Sequence, residues 1–252
     1  MADPRVAVER IGRVLVVRMN RAEKRNAVDA AMTVELSAAL DLLDDDDDLW
    51  AGVLTGGNGV FSAGTDLVTG AGQPTDRGGA YGVVRRSRST PLIAAVEGLA
   101  LGGGMEIVLA CDLVVAGRSA SFGLPEVTRG VVASCGALFR GPRALPINVA
   151  RELLLTGQRL GADRAERLGF VNVLTDDGQA LAGALDLAEQ ICGNAPVSVR
   201  ATLTAVEETL THDDKRSWAA TAGAIETVSA SEDAREGVAA FAEKRPPRWT
   251  GR

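Results

Sequence analysis

Two glycine-rich turns and two glutamates are the residues of this chain whose types and spacing could do chemistry. The first turn, Phe61-Ser62-Ala63-Gly64-Thr65-Asp66-Leu67, comes shortly after an apolar strand. The second, Gly102-Gly103-Gly104-Met105-Glu106, follows another strand and opens a helix. Glycine lacks the Cβ that would hold a ligand away from main-chain N–H groups, and the first N–H groups of a helix have no intrahelical acceptor. Alone, either turn reads equally well as a tight strand–helix junction. Together they offer amides from two segments to one carbonyl oxygen, where they would hold developing negative charge, an effect of about 3 kcal/mol per donor.

Glu106 falls in the first turn of the otherwise apolar helix Met105 to Cys111, and Glu126 follows the apolar stretch Phe122-Gly123-Leu124-Pro125. A carboxyl group in such company binds its proton more tightly than one in water and can trade it near neutral pH. Their composition alone also allows them to be caps or ion-pair members.

Other chemistries are poorly supplied. His212 is the only histidine, which excludes a multi-histidine metal site, and its polar surroundings, Thr211 to Asp214, read as a solvated loop. Cys111, Cys135 and Cys192 are too few and too scattered for a disulfide framework or a C-x-x-C metal pair, so they read as small buried hydrophobes. No G-x-S-x-G, G-x-x-x-x-G-K-[ST] or G-x-G-x-x-G occurs. The net charge of −6 and 4% aromatic content argue against a nucleic-acid binder. No run approaches the ~18 apolar residues of a membrane span, and Met1 to Arg10 lack a signal core. A soluble, cytoplasmic protein without metal is expected.

The elements that must position these residues alternate between short strands and helices. Val6 to Glu9 and Val14 to Met19 read as a hairpin around Gly12-Arg13. Asp29 can cap a helix whose apolar face is Met32, Leu36, Leu40 and Leu43. The run Asp44 to Asp48 reads as a solvated turn, because its like charges repel at a helix C-terminus. Trp50 to Thr55 and Pro91 to Val96 are buried strands, the first closed by Gly56-Gly57-Asn58-Gly59; Phe61 to Leu67 is a tight element between them. Residues 69–88 have poor periodicity and read as a loop or a mobile lid. Beyond Leu113 to Ala116 and Val171 to Leu174, both strands, the chain is mostly helical. Helices are expected near 179–192, 196–210 and 214–229, and a last one from a Ser231 cap. The class is α/β.

Over essentially its full length the chain resembles the crotonase (enoyl-CoA hydratase/isomerase) family. The matching stretches are Asn20 to Ala27, Phe61 to Leu67, Pro91 to Glu106, Phe122 to Glu126, Thr156 to Ala162 and Phe241 to Arg245, in the family's order. The resemblance implies a spiral of ββα units over residues 1–195 and a helical region over 196–252 that serves trimerisation and covers CoA. It implies that the amides of Ala63 and Gly103 form an oxyanion hole and that Glu106 and Glu126 are the catalytic acids. It implies CoA contacts at Lys24, Ala63, Gly64, Thr65, Asp66 and Leu67, with Phe241 and Lys244 closing over the adenine end. By composition alone Lys24 and Lys244 are simply solvated.

The activity so implied is reversible hydration of a 2-trans-enoyl-CoA thioester by a homotrimer or hexamer. CoA would be part of the substrate, with no separate cofactor. Arg129, Ser134 and Cys135 stand where many hydratases carry a more Pro- and Gly-rich pattern, and the end around Trp249 resembles carnitinyl-CoA dehydratase-like members. Both features raise the prospect of a polar acyl group. A double-bond isomerase of the same family and a catalytically idle CoA-thioester binder are the rival readings.

Overall fold

A computed structural model describes residues 4–57, 59–211 and 213–252. The expectations for Met1 to Asp3, for Asn58 and for His212 lie outside the described residues.

The hairpin forms in the register expected, β1 (Val6–Ile11) running antiparallel to β2 (Val14–Met19) with Ile11 opposite Val14. From β2 onward the main sheet is parallel. Its order is β1-β2-β3-β4-β6-β9, with β3 Ala51–Thr55, β4 Leu92–Val96, β6 Leu113–Gly117 and β9 Val173–Thr175. After β4 and again after β6 the chain crosses into a second sheet. This smaller sheet, in the order β5-β7-β8, comprises β5 (Leu99–Leu101), β7 (Ser121–Gly123) and β8 (Arg159–Gly161). That repeated crossing makes the spiral.

Both faces of the main sheet are covered along β2, β3, β4 and β6, so these strands are apolar on both sides, while the edge strand β1 is largely exposed. On one face Val16, Val53, Ile93 and Val115 pack against Ala180, Ala184 and Ala188 of α6 (Ala180–Cys192). Alanine at i, i+4 and i+8 brings the helix close to the strands. On the other face Val17, Leu54 and Val96 meet Met32, Leu36 and Leu40 of α1 (Ala30–Asp45), Met105, and Phe122. Asp29 caps α1 as expected, accepting the Met32 N–H at 2.9 Å.

Two expectations are corrected here. The aspartate run does not begin as a solvated turn: α1 continues through Asp45, and the side chain of Asp44 is only 9% exposed. Repulsion along the helix is offset by cations from a distant segment. Arg86, with only 1% of its side chain exposed, pairs with Asp41 at 2.7 Å and Asp44 at 2.8 Å, and Arg77 pairs with Asp45 at 2.8 Å. The same contacts anchor the second half of the supposed lid. Tyr81, Val83 and Val84 are in the core, and a single 3-10 turn spans Ala80–Gly82. Residues around Val68, 93% exposed, do form an open loop.

Short helices fill the space between the sheets: α2 (Gly103–Val108), α3 (Ala137–Ala144), α4 (Ile147–Thr156) and α5 (Ala162–Arg167). The chain ends in α7 (Pro196–Leu210), α8 (Asp214–Ser229) and α9 (Glu232–Ala242). Ser231 caps α9 by accepting the Ala234 N–H at 3.1 Å, and α9 returns to the core against Arg129 and Gly130. Among the described residues no helix is long and apolar enough to cross a membrane.

Candidate active site

The two glycine-rich turns meet. Gly64 has φ +92°, and a Cβ there would stand 2.8 Å from the Leu101 carbonyl and 2.9 Å from the Gly103 nitrogen. Only glycine tolerates both the conformation and the approach. The turn is stitched on each side by isolated bridges, Ser62 to Ala100 and Val28 to Thr65. Beneath it lies Asn26, fully buried. Its Nδ2 donates to the carbonyls of Gly56 and Val60 at 2.9 Å each and of Phe61 at 3.1 Å, while its Oδ1 accepts the Arg21 N–H.

That stitching decides which amides are available. Ser62 N–H goes to Leu99 O, Gly64 N–H to Ser62 Oγ and Asp66 N–H to Val28 O. Ala63 N–H donates to the Arg25 carbonyl at 2.9 Å. The expectation that the Ala63 amide serves a ligand is therefore corrected: its proton is already engaged. Among the described residues Thr65 N–H is the only amide from 62 to 66 without a protein acceptor. The partner segment supplies Gly103, whose N–H is the first of α2 and lacks an intrahelical acceptor by position.

Both amide-bearing residues line a cavity of about 720 Å³, together with Glu106, Glu126, Arg129 and Tyr81. Lys24, Ala63, Gly64, Asp66, Leu67 and Phe241 line it too. Lys244, expected to cover the adenine end of CoA, is not among the residues lining this cavity. It follows α9 in a left-handed turn, φ +54°, and is exposed. Phe241 instead covers Arg129, whose guanidinium carbon stands 5.2 Å from the ring centre. Asp66 reaches the cavity wall with a carboxylate already occupied: Arg21 Nη1 donates to it at 2.7 Å, Val68 N–H at 2.9 Å and Thr69 N–H at 3.2 Å. The Arg21 bond and these amides hold its pKa down to about 2, so it builds the loop rather than exchanging protons.

Glu106 and Glu126 are different. Glu106 is 2% exposed, and its Oε1 accepts from Cys135 N–H at 2.6 Å and Ala137 N–H at 3.2 Å. Burial, reinforced by the charge of Glu126, raises its pKa to about 7 against the pull of those amides. Burial likewise raises Glu126 to about 7, with Arg129 pulling the other way. Glu126 Oε2 is buried without a protein partner among the described residues, while Oε1 stands 3.3 Å from where a Gly102 Cβ would be. Burial thus brings both carboxyls to about 7, the charge of Glu126 adding to the rise at Glu106, so each can hold or release a proton near neutral pH. The Cys135 thiol beside them is pushed up to about 12 by burial and by Glu106, so it stays protonated.

The sequence over residues 9–252 matches the family model described as enoyl-CoA hydratase/isomerase. The chain belongs to the enoyl-CoA hydratase/isomerase family. An enoyl-CoA hydratase of Mycobacterium tuberculosis is 39% identical, the alignment covering 100% of this chain and 98% of that one. A carnitinyl-CoA dehydratase of Escherichia coli O157:H7 is 37% identical over 96% and 97% of the two chains. The crystal structure of a carnitinyl-CoA hydratase from Mycobacterium avium superposes with a TM-score of 0.94 at 40% identity, covering both chains fully. The crotonase-type α/β spiral expected from the sequence is thus the fold. Tyr81, which lines the cavity, is the residue that sequence reasoning missed; the only signal is that the chain's one tyrosine stands among glycines, Gly78-Gly79-Ala80-Tyr81-Gly82.

Proposed function

We propose that the protein catalyses reversible addition of water to a 2-trans-enoyl-CoA thioester. The observation that carries this reading is the convergence, on one cavity, of two unengaged amides and two glutamates whose burial raises each pKa to about 7. The thioester oxygen accepts from Thr65 and Gly103 N–H, which draws electrons from C3. Ionised Glu106, oriented by the Cys135 and Ala137 amides, takes a proton from water as its oxygen bonds to C3. The electron pair of the double bond moves onto the thioester oxygen as an enolate, whose charge the two amides stabilise. Protonated Glu126 then delivers its proton to C2 and the carbonyl re-forms. Glu106 ends protonated and Glu126 ionised, so one proton must pass between them before the next turnover. Dehydration runs the same steps backward.

CoA enters as part of the substrate and no other cofactor takes part. Lys24 and Leu67 flank its path, and Phe241 closes over the end where α9 returns. The acyl portion meets Arg129 and Ser134, a wall that favours a polar group and keeps a carnitinyl-type dehydratase as the second reading. α7 buries none of its residues and leaves Val197, Val206 and Leu210 exposed, which supports assembly into a trimer or hexamer; the proposed place of work is the cytoplasm.

Loss of the conjugated-thioester absorbance is the test, with crotonyl-CoA and with polar-substituted enoyl-CoA substrates. The wild type is expected to turn over at least one of them, and Glu106→Gln and Glu126→Gln each to lower kcat by roughly 10³-fold. Retention of hydration by either variant would remove the two-glutamate mechanism; activity surviving only as double-bond migration would favour an isomerase. Tight CoA binding with no turnover would leave an idle binder.

A further inference from the structure

Tyr81 has three properties that packing alone does not require. It is 5% exposed yet lines the cavity. Its backbone is left-handed, φ +58° and ψ 4°, a conformation that a bulky L-residue adopts only when its surroundings impose it. Its hydroxyl stands 2.8 Å from Thr65 Oγ1 and against Gly103 so closely that a Cβ on that glycine would collide with it. Thr65 and Gly103 are cavity-lining residues whose amides, among the described residues, are left without a protein acceptor. The phenol therefore touches both halves of the amide pair at once.

Either oxygen of the Thr65–Tyr81 pair can be the donor. When Thr65 Oγ1 donates to Tyr81, the phenol proton is left to point at a third acceptor. Burial, the neighbouring Cys135 and, less strongly, Glu106 raise the phenol pKa well above 10, so it remains a donor, with the Cys135 sulfur as its weak acceptor until a stronger one arrives. Gly79 on one side and Gly82 on the other, at φ +65° and +73°, bend the chain so that this one ring enters the site. Around it, Val83, Val84 and the Arg86 ion pairs hold the segment against α1.

We propose that Tyr81 is a catalytic residue of the reaction above, its hydroxyl serving as a third hydrogen-bond donor to the thioester oxygen as that oxygen gains charge. No proton is transferred: the O–H bond of Tyr81 stays intact while its hydrogen bond shortens with the growing charge, and Thr65 Oγ1 donates in turn to the phenol oxygen. A chain of hydroxyls polarised in this way strengthens its last bond. The role rests on the hydratase reading for its turnover but not for its binding consequences.

The test is Tyr81→Phe, which keeps the ring and removes only the hydroxyl. It should lower kcat on crotonyl-CoA, or on whichever enoyl thioester is turned over, by roughly 10- to 100-fold, with KM within about threefold and an unmoved pH profile. Two ligands that need no turnover separate this role from the hydratase reading. Acetoacetyl-CoA, which can bind as its enolate, should lose affinity in Tyr81→Phe by a similar factor and show less of its enolate ultraviolet band. Butyryl-CoA, with a neutral carbonyl, should bind as before. Equal affinity of both proteins for acetoacetyl-CoA overturns the proposal, as does wild-type kcat in the variant. Equal losses for both ligands would mean a merely structural ring and would overturn it too. Absent turnover by the wild type with the affinity difference intact would instead count against the hydratase reading alone.

Discussion

Two walls of one cavity treat buried carboxylates in opposite ways. At the wall formed by Arg21 and Asp66, a guanidinium at 2.7 Å and two amides hold the acid ionised, with a pKa of about 2. At the wall formed by Glu106 and Glu126, amides are present but no side-chain cation bonds to Glu106, and both acids rise to about 7. Desolvation is the largest influence on both glutamates, whereas at Asp66 it is outweighed by the Arg21 hydrogen bond and the Val68 amide. Depth of burial and the charge of the nearest partner together separate a scaffold carboxylate from a proton-trading one.

The contrast can be broken most forcefully from the scaffold side. Asp66→Asn leaves Arg21, 8% exposed, with Asp29 at 3.4 Å but without its shorter carboxylate partner, and should cost about 3 kcal/mol of stability, read from urea denaturation. Arg21→Met should cost a similar amount, and the double variant less than the sum of the two, because the pair shares one interaction.

A smaller effect sharpens the contrast through pH. The glutamates have folded pKa values raised from 4.5 to about 7, so the native state binds their protons more tightly than the unfolded chain does. Their protonation favours folding below about 4.5, and that contribution is lost as pH rises through about 7. Glu126→Gln should remove part of this slope and make the protein more stable than wild type at pH 8, by on the order of 2 kcal/mol in Tm-derived ΔΔG. Asp66 runs the other way: lowered from 3.8 to about 2, it contributes stability above 3.8 that disappears as pH falls toward 2. Carboxyl NMR titration should show the three groups titrating in those two windows.

The smallest effect is expected at a third buried carboxylate. Glu97, 4% exposed, accepts the Ala180 N–H at 2.9 Å at the start of α6. Glu97→Gln keeps an acceptor oxygen and loses only the charge that favours a helix N-terminus, so it should cost under about 1 kcal/mol in thermal denaturation.

Much of this was legible from local pattern. Hydrophobic spacing marks α1 and the C-terminal helices, and Asp29 and Ser231 mark their starts. The two turns and both glutamates stand out because glycine and an acid in apolar company are unusual. What was not legible depends on partners far away in sequence. Nothing in the string Phe61 to Asp66 tells that Arg25 occupies the Ala63 amide and leaves the Thr65 amide open. Nothing in Asp41 to Asp45 tells that Arg77 and Arg86 will neutralise it. Tyr81 was lost for the same reason: residues 69–88 lack periodicity because tertiary ion pairs, not a repeating face, hold them.

Asn26 ties the floor of the site together through a single side-chain amide bonded to three carbonyl oxygens. Deamidation there would turn that donor into an anion confronting those oxygens, with only the Arg21 N–H, among the described residues, to receive it. The enzyme's shelf life is thereby linked to one hydrolysable group, and mass spectrometry of aged samples should find the aspartate form at this position enriched in the inactive fraction.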